Sequence, residues 1–406
     1  MCSVGDDVYD NEADKLMPIT KTSKIAEVCN KCRTEKPCIV LRSKDAYCQN
    51  CFLVGTVHKF KASLGKSRLI HPKDKVLVWH QIGHPSTALL HFLRTGLDLN
   101  TPKKLRFEPI ILFVDDQYHI SLDERRHLLE NAKKEAQSFG FTLNLISFAD
   151  YVTQPYRLNE LMCTENVQIS EDDKNKLEQI IDGKPSKSNK SDIKVLLRRQ
   201  MLIDSAKHFK CKFIFTPEIS VDIASNLLSN ISLGRGPHIS IDTGFCDDRD
   251  DDVKILRPLR LFDMKELAFY NKINNLEPLI VRQLDVNPYS SIQDLMKKFV
   301  QDLQVSYPAT VTTVLKTGDK LSIDKHWMKN CNVCKGPLPV IEKQITSQQS
   351  TNFSHLVSTE ISNYSLSRQE SYQNMVDKFD QMAAENEDLC YACSNITQYL
   401  NKKEYS

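Results

Sequence analysis

The sequence predicts an α/β protein built on a doubly wound parallel sheet, with a four-cysteine metal module near each end. Three observations carry that expectation. Between residues 75 and 271, short apolar runs alternate with stretches whose apolar residues recur at helical spacing, the pattern of strands joined by crossover helices. The runs are continuous rather than alternating, as in strands buried on both faces. Finally, C-x-x-C pairs occur four times among thirteen cysteines in 406 residues, where random placement would give about 0.4.

Residues 1–24 are polar and predict a mobile tail. Residues 25–57 then hold Cys29-x-x-Cys32 and Cys48-x-x-Cys51, with 15 residues between the inner two. Two short knuckles at this spacing can each present a pair of sulfurs to one tetrahedral zinc ion. Cys38, between the pairs, is a candidate spare or substitute ligand. From His58 to Ile70, His58, Lys59, Lys61, Lys66 and Arg68 interleave with apolar residues. That pattern reads equally as a solvated helix and as a basic amphipathic segment that touches phosphates.

The α/β domain is expected over residues 58–290. Lys75 to His80 (KVLVWH) is the first strand, followed by a tight turn and a helix over Ser86 to Leu93. PIILFVDD (Pro109 to Asp116) is the second strand, with a helix over Leu122 to Phe139, and FTLNLIS (Phe141 to Ser147) the third. Residues 164–192 are polar and charged and read as an inserted loop. A helix from Asp192 to Lys210 leads into KFIFT (Lys212 to Thr216), and another helix covers Ser220 to Leu233. After Gly234-Arg235-Gly236-Pro237, His238 to Asp242 is expected as a fifth strand and Cys246 to Asp252 as an acidic loop. The alternation resumes at Val253 to Arg260 and the Met264 to Asn271 helix. A ligand crevice is expected at the C-terminal ends of these strands.

Residues 291–330 read as a helical linker region, with helices over Ile292 to Leu303 and Ala309 to Leu315. Residues 331–406 hold Cys331-x-x-Cys334 and Cys390-x-x-Cys393. The 55 residues between the inner cysteines exceed a ribbon loop, so a second zinc site is expected around a flexible insertion at 344–374, which requires the two ends to meet.

Composition narrows the classes. A chain that is 41% hydrophobic and 26% charged, with net charge +2, is ordinary for a globular protein and excludes disorder throughout. No apolar run approaches the 18 or more residues of a membrane span, and the acidic first fifteen residues show no secretory signal. A reducing, cytoplasmic setting is expected, where paired cysteines hold metal more often than disulfides. Only 12 residues are glycine, few for a chain with several phosphate loops.

Two terminal four-cysteine modules around a doubly wound domain resemble the sulfur-inserting tRNA thiouridylases of the PP-loop ATP-pyrophosphatase superfamily. The narrower resemblance is to the cytoplasmic tRNA 2-thiolation protein 2 family, the partner of the catalytic subunit. LGKSRLI (residues 64–70), the first strand and turn, LLRRQML (196–202) and the LGRG region (233–236) carry it over roughly residues 25 to 400.

The departures from catalytic relatives are informative. Those relatives carry S-G-G-x-D-S-T after the first strand, where glycines admit ATP phosphates to the backbone and a helix N-terminus. The equivalent stretch is Gln81-Ile82-Gly83-His84-Pro85-Ser86-Thr87. Gly83, Ser86 and Thr87 remain as a vestigial phosphate loop, but Ile82 adds a branched side chain and Pro85 lacks an N–H, so ATP is not expected on this chain. A C-x-x-C ahead of an RRQ helix is replaced by Ser191 and Lys194 before Arg198-Arg199-Gln200. G-H-N-x-D-D becomes Pro217 to Asp222, keeping the last aspartate. Cys163, Cys211 and Cys246 lack paired spacing and read as small buried residues.

The resemblance implies a non-catalytic subunit with no catalytic residues of its own, paired as a heterodimer with an ATP-dependent paralogue. Its product would be 2-thiouridine at position 34 (mcm5s2U) of the tRNAs for lysine, glutamate and glutamine, the sulfur coming from a thiocarboxylated ubiquitin-like modifier. The metal ligands would be Cys29, Cys32, Cys48, Cys51, Cys331, Cys334, Cys390 and Cys393, holding two zinc ions. Net charge hides a basic bias in the first two thirds and an acidic knot at Asp247, Asp248, Asp250, Asp251 and Asp252. The tRNA-binding residues expected are Lys59, Lys61, Lys66 and Arg68 first, beside the zinc module, then Arg198, Arg199 and Arg235 near the crevice. Two other functions fit the same residues: a self-sufficient ATP-dependent tRNA-modifying enzyme with an atypical loop, and a zinc-ribbon adaptor that binds protein only.

Overall fold

The computed structural model describes residues 27–41, 45–100, 104–117, 120–153, 186–281, 287–321, 328–339 and 388–401, with a few isolated positions besides. The tail at 1–24, Lys103, Cys163 and most of the insertions at 164–192 and 344–374 lie outside the described residues. The chain divides into two compact units, Met1–His58 and Lys59–Ser406.

In the first unit a cysteine knuckle precedes a hairpin of β1 (Ile39–Leu41) and β2 (Asp45–Tyr47), with Ile39 opposite Tyr47 and Leu41 opposite Asp45. Cys48 follows β2 and stands at the start of α1 (Gln49–Ser67). Phe52, Thr56, Phe60 and Leu64 are its buried residues, four apart and so on one face of the helix.

The second unit is built on a six-stranded sheet. Its strands are β3 (Lys75–His80), β4 (Glu108–Asp115), β5 (Leu143–Ser147), β6 (Phe213–Phe215), β7 (Cys246–Asp247) and β8 (Lys254–Leu256), in spatial order β5-β4-β3-β6-β8-β7. All neighbours are parallel except the edge pair β7 and β8. Register runs Val76 to Pro109, Val76 to Phe213 and Ile214 to Ile255. Order reverses between β3 and β6, which puts the switch point, where open α/β sheets bind ligands, beside the end of the first strand.

Valine, leucine and tryptophan at 76 to 79 are all buried, so the unbroken apolar run does reflect cover on both faces. One core cluster joins Leu77, Leu112, Ile146, Ile214 and Ile255 of the strands to Met201, Leu202 and Ala206 of α5 (Lys187–His208). On the other side α2 (His84–Leu97) buries Leu89, Leu90, Phe92 and Leu93. Helix α3 (Leu122–Ser138) opens with a reciprocal cap: Ser121 Oγ accepts from the Glu124 N–H, and the Glu124 carboxylate accepts from the Ser121 N–H. A short helix α4 (Phe148–Thr153) follows β5 directly.

Three expectations are corrected. His238 to Asp242 is not a strand: Gly236–His238 form a 3-10 turn that runs into α7 (Ile239–Thr243). His238 and Asp242 are both buried and stand four apart, the helical period rather than the strand period, while Gly236 and Pro237 initiate the turn. Helix α5 begins at Lys187, five residues before Asp192, because Ser186 Oγ accepts from the Asn189 N–H and caps it. Cys246 to Asp252 is not wholly a loop, since Cys246 and Asp247 pair with Leu256 and Ile255.

Helix α6 (Ser220–Ser232) packs Val221, Ile223 and Ala224 against Val300 of α9 (Ile292–Ser306) and Val311 and Leu315 of α10 (Pro308–Lys320). Between them in sequence lies α8 (Met264–Ile273), against α2. The C-terminal module has a hairpin of β9 (Met328–Asn330) and β10 (Pro337–Pro339) and a helix α11 (Tyr391–Asn401). Among the described residues no helix is long and apolar enough to cross a membrane.

Candidate functional site

The turn after β3 is closed on itself. Gly83 caps α2 at φ 119°, a conformation that favours glycine, and the amides of Ser86 and Thr87 both fold back onto its carbonyl at 3.2 and 3.4 Å. Pro85 has no N–H to offer. The hydroxyls point inward: Ser86 and Thr87 are each 1% exposed. Ser86 Oγ accepts from the Gln81 N–H at 2.9 Å and lies 2.7 Å from His80 Nδ1, while His80 Nε2 lies 3.1 Å from Glu135 and Thr87 Oγ1 donates to Glu135 at 2.5 Å. With neutral His80 the donors balance: the Ser86 hydroxyl donates to Nδ1, Nε2–H donates to one Glu135 oxygen, and Thr87 fills the other. Beyond the turn, Trp79, Gln81, Ile82, Phe113 and Asp116 line a cleft of about 180 Å³, below the roughly 300–1,000 Å³ of drug-sized ligand sites.

The other positions at which the sequence departs from the catalytic relatives lie in helices or are bonded to protein groups. Ser191 and Lys194 lie inside α5, where no cysteine pair remains. Asp222, the retained aspartate, accepts the Ile219 N–H at 3.2 Å and caps α6. Glu218 accepts from Arg257 Nε at 2.9 Å and from the Thr216 hydroxyl at 2.9 Å.

The expected basic residues fall into two groups. Lys66 and Arg68 are exposed and Lys61 is half-buried. Lys59 donates to Glu266 at 2.7 Å and sits 4.3 Å from the Phe262 ring centroid. The arginines are engaged by protein. Arg198 donates to Asp116 at 2.7 Å and lies over Trp79 and Phe148. Arg199 reaches Asp247 at 3.3 Å. Arg235 is buried with both terminal nitrogens on Asp192, so its fork faces a carboxylate rather than solvent. The acidic knot is partly internal: burial opposes ionisation of Asp247, but Arg249, Arg199 and Arg257 around it hold its carboxyl well below the usual range.

Both cysteine clusters assemble. The sulfurs of Cys29, Cys32, Cys48 and Cys51 lie within 4.8 Å of one another, and so do those of Cys331, Cys334, Cys390 and Cys393. Cys32 and Cys48 are 3.9 Å apart, and Cys334 and Cys390 3.8 Å. A tetrahedron with zinc–sulfur bonds of about 2.3 Å has an edge of about 3.8 Å. The donor set therefore fits one ion per cluster. In each knuckle the residue after the second cysteine, Arg33 or Lys335, has φ 57°, and the second pair opens a helix whose backbone turns to the sulfurs: Cys51 N–H lies 3.5 Å from Cys48 Sγ, and Cys390 N–H 3.4 Å from Cys331 Sγ. Four thiols so close do not ionise independently: hydrogen bonds among them drive Cys331 down and Cys334 and Cys393 up. A cation removes that conflict by binding all four as thiolates. Cys38 is exposed, outside the four; Cys211 is buried, and burial pushes its thiol up to about 11.

Sequence reasoning missed His80, Glu135, Asp192 as an ion-pair partner, His238 and Arg249. His80 ends the first strand immediately before the loop, a positional signal. Glu135 sits in the polar pattern of a surface helix and gives none.

A parallel sheet with a switch point, a glycine turn leading from its first strand, and two tetrathiol modules define a doubly wound α/β protein with two four-cysteine groups that could each hold a metal ion. A family model for cytoplasmic tRNA 2-thiolation protein 2 matches residues 291–395. Proteins of that name from Aedes aegypti and Anopheles gambiae are 30% and 31% identical, covering 98% and 99% of this chain and 98% and 100% of their own. The human protein of that name is 29% identical over 79% of this chain and 72% of its own. The chain belongs to the cytoplasmic tRNA 2-thiolation protein 2 family, whose role is cytoplasmic tRNA thiolation. In structure it is similar to the U34-tRNA thiolase NcsA of Methanococcus maripaludis, with TM-score 0.55 and 19% identity over 78% of this chain and 94% of that one. That likeness shows the fold.

Proposed function

We propose that this chain is the non-catalytic subunit of a cytosolic complex that 2-thiolates the wobble uridine of the tRNAs for lysine, glutamate and glutamine. A paralogous partner binds ATP and carries out the chemistry, with sulfur from a thiocarboxylated ubiquitin-like modifier. The observation that carries the reading is the turn at Gly83 to Thr87. The amides and hydroxyls of Ser86 and Thr87 are bonded to Gly83, His80 and Glu135 rather than left open to a phosphate. A phosphate cradle works through free N–H groups at a helix N-terminus, and refilling it would require breaking a buried, balanced network.

In this reading residues 25–57 and 331–406 are zinc modules flanking a degenerate α/β domain at 58–290 and a helical region at 291–330. The residues that would hold the ions are the two sets of four cysteines, and zinc there supplies folding energy. Lys61, Lys66 and Arg68 meet tRNA phosphates, with Lys59, Arg198 and Arg199 beside their carboxylate partners. Deletion of the chain from its own cells, followed by nucleoside analysis, tests this: loss of 2-thiouridine at position 34 is expected, and unchanged thiolation would end the reading. ATP-to-AMP turnover by the purified chain alone would favour an autonomous enzyme.

A further inference from the structure

The loop between α6 and α7 carries buried nitrogen atoms with no partner: Nε of Arg235 and both ring nitrogens of His238. The residues are 4% and 1% exposed. Orphaned polar groups at such depth are costly and call for a missing partner. The rest of the Arg235 guanidinium is committed to Asp192 and Asn230, which fixes where Nε stands.

The surroundings indicate the partner. The loop is held against both halves of the C-terminal cysteine cluster. Tyr391, next to Cys390, packs on Gly234. On the other half, the backbone of Gly336 lies so close to the His238 ring that a Cβ there would fall 2.2 Å from Cε1 and 2.3 Å from Nε2, and the same Gly336 accepts the Cys331 N–H at 2.8 Å. All four cysteines are buried. Four thiolates around a divalent cation carry a net charge of about −2 in that interior, with sulfur lone pairs to spare. Buried donors without acceptors therefore stand on a loop packed against both halves of a cluster whose sulfurs gain charge when metal binds.

We propose that residues 235–238 form the outer coordination sphere of the C-terminal metal, with Arg235 Nε–H and the His238 ring N–H donating to its thiolates. The proposal rests on the cluster holding a metal, and it makes the two sites unequal: the C-terminal ion is gripped by the α/β domain as well as by its own cysteines. Outer-sphere partners of metal ligands are worth 10- to 100-fold in affinity.

The test is zinc release from the full chain to a chromogenic chelator. Wild-type protein is expected to yield two ions per chain; fewer than one would defeat the metal reading itself, separately from the present inference. His238→Phe is expected to speed release of one ion 10- to 100-fold, to leave the other unchanged, and His238→Gln, which keeps a donor, to restore most of the difference. Equal release from all three proteins overturns the proposal. In case His238→Phe fails to fold, wild-type protein loaded with cadmium-113 supplies a second measurement: coupling from the metal to the His238 ring proton or the Arg235 Nε proton is expected. Coupling to cysteine protons alone would overturn the proposal.

Discussion

Asp192 and Arg235 meet fork to fork in the interior, Nη1 donating to Oδ1 at 2.7 Å and Nη2 to Oδ2 at 2.5 Å across 43 residues of sequence. Asp192 lies in the first turns of α5 and Arg235 follows α6, so the pair ties two crossover helices together beside the C-terminal cysteines. Arg235→Leu leaves a buried carboxylate without its partner, a change that costs about 3–5 kcal/mol. Urea unfolding is expected to show that loss, and the double variant Asp192→Leu/Arg235→Leu to recover much of it. A single-variant loss below about 1 kcal/mol would mean the pair is exposed in solution.

Asp247 makes stability depend on acid. Its folded carboxyl is held below the ordinary range by Arg249, Arg199 and Arg257 against the effect of burial. Because the folded pKa is depressed, the contribution is present in full above the unfolded value of about 3.9 and is lost as pH falls through the folded value. Asp247→Asn is expected to lower stability by about 3–5 kcal/mol at pH 7, with the gap to wild type narrowing below pH 4. A gap that is constant from pH 7 to pH 2 would contradict this.

Ser86 and Thr87, read in the sequence as remnants of a phosphate loop, are bonded inward to His80 and Glu135. Ser86→Ala removes the acceptor of the Gln81 N–H and the partner of His80, and a lower melting temperature from a loss of about 1–3 kcal/mol is expected. A site with micromolar affinity would add roughly 4 kcal/mol at millimolar ATP. No ATP-dependent shift is expected in wild type or variant, and a clear shift in wild type would reopen the nucleotide site.

The strands were legible because burial on both faces writes an unbroken apolar run, and KVLVWH coincides with β3 from Lys75 to His80. The cysteine clusters were legible because ligand spacing is local within each pair and only their meeting is tertiary. The five-residue stretch at His238 was misread because its two isoleucines mimic a strand, whereas its buried positions are the polar ones at either end. The partners of the arginines were hidden for a related reason. Charge is visible in sequence, but the carboxylate that absorbs it, Asp192 for Arg235 or Asp247 for Arg199, lies 43 or 48 residues away. Lys66 and Arg68, exposed at the end of α1, are where the sequence charge and the solvent-facing charge coincide.

That coincidence sets the last prediction. Phosphate contacts by freely solvated cations appear in the salt dependence of binding, each worth about one unit of slope in log K against log salt. Lys66→Gln with Arg68→Gln is expected to weaken tRNA binding at low salt and to flatten the slope by about two. The same measurement on Arg235→Lys, which keeps the charge but faces Asp192, is expected to leave the slope unchanged. Filter binding over a series of salt concentrations checks both. A slope that responds to position 235 and not to 66 and 68 would move the RNA contact from α1 to the crevice side, and would require the Asp192 pair to open on binding.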